Sequence, residues 1–63
     1  MKLREFNFNN INERVLSVMD GKTDVVWDFI GEALKKIPHL ADREIESTNV
    51  FFDTFVIRLK KEE

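Results

Sequence analysis

The single histidine, His39, is where any acid–base or nucleophilic chemistry would have to start. A Ser–His or Thr–His mechanism would need Ser17, Ser47 or a threonine against its ring, and a carboxylate to orient it. The chain contains no Gly-x-Ser-x-Gly elbow or other nucleophile signature. His39 follows Pro38 at a predicted helix exit, where a histidine satisfies terminal carbonyls and the helix dipole. That capping role accounts for it, so no catalytic residue is assigned and the chain reads as a non-enzyme. His39, Asp42, Glu44 and Glu46 also form a local set of metal-ligand types. Their spacing fits neither a zinc signature nor a calcium loop, and Arg43 stands in their midst, so no metal site is assigned. The run Asp20-Gly21-Lys22-Thr23-Asp24 ends like a phosphate-binding loop. The upstream glycine of that motif falls on Leu16, however, and the two flanking aspartates would repel phosphate. A turn followed by a helix cap explains the same residues, and no cofactor is implied.

Three surfaces remain as candidates for binding. Asp24, Asp28 and Glu32 recur every four residues on a predicted helix, a row that would suit a basic groove on a partner. Like charges at that spacing cost a few tenths of a kcal/mol each, about as much as a good pair contributes. Glu32 can pair with Lys35 or Lys36, whereas Asp28 has no good local cation, and an ordinary solvated face is the plainer account. The second surface is the outward side of a C-terminal strand, carrying Phe52 and Val56. Exposed aromatics of that kind mark protein contacts or dimer seams. The third is a basic set, Lys2, Arg4, Arg58 and Lys60, which would converge if the first and last strands were neighbours. With nearby phenylalanines it could bind single-stranded nucleic acid, although cations at strand ends also guard against edge pairing.

The elements that must position these residues follow from periodicity. Residues 2–8 alternate around Phe6 and Phe8, which predicts a short strand. Over 11–19, Ile11, Val15, Leu16, Val18 and Met19 fit one helix face, with Asn10 as cap and Gly21 as stop. The rival is a hairpin turning at Asn9-Asn10, with Arg14 to Met19 as its second strand; the helix is preferred. Val26, Phe29, Ile30, Ala33, Leu34 and Ile37 form the clearest stripe and predict a helix over 24–37, ended by Pro38. Gly31 within it suggests close approach by a neighbouring backbone. Ile45 opens a short strand, Ser47-Thr48-Asn49 a turn, and residues 50–60 a strand burying Phe51, Phe55, Ile57 and Leu59. The fold class is therefore α+β: a small antiparallel sheet of two to four strands packed against one or two helices, in a single domain over 1–63.

Composition narrows the function classes. The chain has 63 residues, no cysteine, and ten cationic against twelve anionic side chains, a net charge of −2. Disulfides, thiol catalysis and Cys-based metal centres are excluded. Nucleic-acid binders usually carry a basic excess, so a nucleic-acid partner is disfavoured. No apolar run approaches the ~20 residues of a membrane span, so no membrane partner is expected. Without an export signal the cytoplasm is the expected compartment. The leading expectation is a small regulator, inhibitor or accessory subunit that acts by occluding a protein partner's surface. The alternatives are a nucleic-acid-binding domain and a homo-oligomer. Two-fold association would relieve the small core of a chain this short.

Overall fold

The computed structural model describes residues 1–21 and 24–61, with Asp24 described by its backbone alone. Lys22, Thr23, Glu62 and Glu63 lie outside the described residues, and with them part of the turn and helix cap read into residues 20–24.

The chain forms β1 (Val15–Met19), β2 (Asp24–Phe29), α1 (Ile30–Lys36), β3 (Ile45–Phe51) and β4 (Thr54–Leu59). Short 3-10 turns occur at Leu3–Glu5, Phe8–Asn10 and Pro38–Leu40. Two hairpins, β1–β2 and β3–β4, lie side by side in the order β2-β1-β4-β3. Each hairpin is antiparallel, but the seam between them, β1 against β4, is parallel. The α+β class holds, with four strands and one α-helix. The sheet is mixed rather than purely antiparallel, because each hairpin places its central strand in the same direction.

Five element assignments are corrected: Ser47-Thr48-Asn49 lie within β3 and form no turn, the expected strand 50–60 is divided by a turn at Phe52-Asp53 between β3 and β4, and three more concern the first half of the chain. Residues 15–19 are a strand and not a helix: Val15, Leu16 and Val18 are β-branched or bulky side chains that pack well on a pleat. The strand pairs with β2, not with residues 2–8. The predicted helix 24–37 is split. Its first half, Asp-Val-Val-Trp-Asp-Phe, is β2, and only residues 30–36 coil. Gly21, at φ 101°, belongs to the connection between β1 and β2 and does not stop a helix. Residues 2–8 are not a strand beyond a single antiparallel bridge between Lys2 and Glu44. Further along, Leu3 and Arg4 donate to the carbonyls of Arg43 and Ala41, both at 2.9 Å, and the chain then curls into 3-10 turns.

The core lies on one face of the sheet. Leu16, Val18, Val26, Phe55, Ile57 and Leu59 point into it and meet Ala33 of α1, Ile37 and Leu40 beyond it, and Leu3. Leu16, Val18, Ile57 and Leu59 are fully buried, and all four belong to the two central strands. Phe6 closes one side, with its ring centroid 5.3 Å from Phe55 and 4.8 Å from Phe8. Each edge strand has an amide engaged by the side chain before it. Phe29 donates to Asp28 Oδ1 and Val50 to Asn49 Oδ1, both at 2.8 Å.

Gly31 does not serve a close approach, since a Cβ there would meet nothing within 4 Å. Alanine in its place restricts the unfolded chain and favours the helix. Gly31→Ala is therefore expected to raise the urea-unfolding free energy by about 0.5–1 kcal/mol. A drop in the midpoint would contradict the open surroundings described here.

Candidate protein-binding face

Strand alternation gives the sheet a second face, opposite α1. The pairings set Phe29, Val15, Thr54 and Phe51 in one row across the four strands. Trp27, Ser17, Val56 and Asn49 form the next row, and Met19, Arg58 and Ser47 the third. No element of the described chain lies over these rows. Trp27 is 68% exposed, Phe29 62% and Phe51 66%. Between Trp27 and Phe51 the surface dips into a shallow depression lined by Ser17, Thr54 and Val56. Ser17 is the one polar residue buried among the described residues. Among the residues paired in these rows Arg58 is the only charged one.

The rim of this face carries the one non-glycine residue with a left-handed backbone among the described residues. Phe52 and Asp53 form the two-residue turn between β3 and β4, closed by the Phe51–Thr54 pair. Phe52 has φ 54°, in the left-handed region where Cβ crowds the backbone and glycine is the usual residue. Its side chain is 87% exposed and packs edge-on against Phe51, with centroids 4.7 Å apart. A large aromatic thus stands at the most strained, most exposed point of the hairpin.

The residues singled out from sequence are distributed as follows. Val56 is in the middle row of the open face, half-buried, and Phe52 is at its rim. Asp24, Asp28 and Glu32 do not share a helix face, because the first two lie on β2 and the third on α1. Asp24's side chain lies outside the described residues. Asp28 is on the core side of β2, where Lys36 Nζ donates to its Oδ2 at 2.6 Å, supplying the cation that the helical spacing did not. Glu32 pairs with Lys35 at 3.6 Å, as its spacing suggested.

The four cations do not converge as a free patch, because the first strand is missing. Arg4 is ion-paired to Asp42. Lys2 and Lys60 flank Glu44, bridged to it through backbone, while Arg58 faces the opposite side with the open rows. Glu44 accepts from the Met1 ammonium at 3.0 Å, and that bond with its positive charge holds the Glu44 carboxyl below its ordinary range. His39 is exposed in the turn after α1, whereas Ser17 and Ser47 are on the sheet's other face. Among the described residues no group of three His, Asp or Glu is placed to hold a metal ion. No described helix is long and apolar enough to cross a membrane.

Trp27, Phe29 and Phe51 were missed as surface residues. The signal was present as parity: Trp27 and Phe29 are two apart, which on a strand puts both on one face. The helical stripe, however, claimed Phe29 for the core and left Trp27 at the margin. Phe51 was placed in phase with Phe55, but the turn at 52–53 reverses the chain and puts the two on opposite faces. Comparison of the chain with protein-family models, curated proteins and solved structures found no match.

Two outcomes follow. At Phe52 the backbone favours glycine and penalises a β-branched residue. Urea unfolding should rank Phe52→Gly above Phe52→Val, with a spread on the order of 1–2 kcal/mol; the reverse order would exclude the left-handed turn. The Lys36 hydrogen bond, then the Phe29 amide, hold the Asp28 carboxyl below its ordinary 3.8, and Asp28 raises Lys36 above 10.5. A depressed carboxylate stabilises fully above its unfolded value and loses that contribution as pH falls through the folded one. A raised ammonium does so fully below its unfolded value and loses it as pH climbs through the folded one. The midpoint difference between wild type and Asp28→Asn should stay flat from above pH 3.8 to below 10.5 and shrink outside that range. A difference that grows in acid would rule the pair out.

Proposed function

We propose that this chain is a small non-enzymatic protein-binding module that docks through the open face of its sheet. The observation that carries this reading is the row of bare aromatics, Trp27, Phe29 and Phe51, on a face that no part of the described chain covers. Tryptophan and phenylalanine are enriched at interface cores, and charged residues are depleted there. The face has that composition, with Val15 and Val56 between the aromatics and Arg58 at the margin. Phe52 extends the apolar rim. Binding would occlude a partner's surface, as suits a regulator, inhibitor or accessory subunit. The acidic residues play a lesser part in this reading, since Asp28 is engaged by Lys36.

Trp27 is the only tryptophan, so its fluorescence reports on the face directly. Capture from the native host should recover a partner with wild type and lose most of it with Trp27→Ser/Phe51→Ser. Adding the purified partner should blue-shift Trp27 emission and protect it from quenching. Equal recovery by the double variant would defeat the reading.

A second reading, nucleic-acid binding, draws on the same aromatics, because a bare four-stranded sheet with exposed rings can stack bases. Only one of the four proposed cations, Arg58, stands on that face, and the net charge is −2. Quenching of Trp27 by single-stranded oligonucleotides that weakens with added salt would favour it.

A further inference from the structure

Resting on the docking face just described, we infer that its occupant is a second copy of this chain. The two sheets would stack face to face about a two-fold axis that runs across the strands.

Area is the first argument. At 150–250 Å² per aromatic side chain, the exposed fractions of Trp27, Phe29, Phe51 and Phe52 amount to about 400–700 Å². Val15, Met19 and Val56 add to this. An ordinary monomer's largest apolar patch is about 300–600 Å², and each partner of a standard interface buries about 800 Å². The whole molecule exposes only 4665 Å², so this face is a large share of its surface. Stacked sheets sit about 10 Å apart, the spacing that interleaved side chains of this size fill.

Charge fixes the orientation. Arg58 lies near one end of β4 and Asp53 just before the other. Neither has an ion-pair partner among the described residues. Five residues of strand separate them by about 16 Å. An axis along the strands sets Arg58 against its own copy where it lies over β4, and against the other copy's Met19 where it lies midway between β1 and β4, with no anion opposite it in either place. An axis across the strands, passing between Phe55 and Val56, instead sets each Arg58 toward the other copy's Asp53. The same operation lays Phe51, level with Thr54, between Asn49 and Ser47 of the other copy, so a large side chain meets short ones. The edge strands are the weaker route to pairing, because Asn49 and Asp28 already engage an amide on each.

Sedimentation equilibrium from micromolar to millimolar concentration tests this. Wild type should form a dimer, and Trp27→Ser/Phe51→Ser should abolish it. Arg58→Glu or Asp53→Lys alone should weaken the dimer about tenfold by placing like charges together, and the Arg58→Glu/Asp53→Lys double variant should regain most of the loss. Both positions are exposed, so these variants keep the fold. A wild-type monomer at every concentration overturns the inference, while Trp27-dependent capture of another protein would leave the docking face standing. A dimer indifferent to Trp27 and Phe51 also overturns it. A dimer that needs those aromatics but shows no rescue by the charge swap overturns the two-fold arrangement.

Discussion

The structure depends on a shortage of cover. A four-stranded sheet has two faces, and the described chain supplies one helix of seven residues and a curled N-terminal segment to hide them. Both are spent on the same side. The choice of side follows from the central strands, whose alternate positions, Leu16 and Val18 against Phe55, Ile57 and Leu59, carry the largest aliphatic content. Burying those side chains stabilises each by roughly 1.5–3 kcal/mol relative to exposure, so the helix settles there. The other face keeps its rings in water because no described residues remain to cover them.

How much of this was legible in the residues can be argued element by element. The second half of the expected C-terminal strand, β4, was readable because Phe55, Ile57 and Leu59 alternate without conflict, whereas the turn at Phe52-Asp53 that divides residues 50–60 was not. The α+β class was readable from the mixture of periods. Residues 24–37 were not, because Val26, Phe29, Ile30, Ala33 and Leu34 satisfy a helical stripe although the first half is extended. The β-branched and aromatic run at Val25–Phe29 was the local clue, and pairing with β1 decided the matter. The candidate face was partly legible: Val56 was named from strand parity, while Phe52 was named as a strand residue and stands in the turn at the rim. Trp27, Phe29 and Phe51 required knowing which residues pair, a long-range property that no local spacing encodes.

The charges are local stitching. Arg4 with Asp42, and Lys2 and Lys60 about Glu44, fasten the N-terminal segment to the approach to β3. Asp28 with Lys36 ties the end of β2 to the end of α1. Such exposed pairs contribute little individually, but they use up the acids and bases that spacing alone made look available. Arg58 and Asp53, neither of them ion-paired among the described residues, sit at opposite ends of one strand.

The side-chain caps on the two edges bear on how the molecule behaves in a crowded solution. A sheet whose outer amides point freely outward is a template on which further chains can add without limit, the route to fibres. Here Asn49 and Asp28 each occupy one such donor, interrupting the regular ladder that an incoming strand would need. The protein can therefore keep an apolar face on display while resisting open-ended polymerisation, because association through a face closes after one partner and growth along an edge does not.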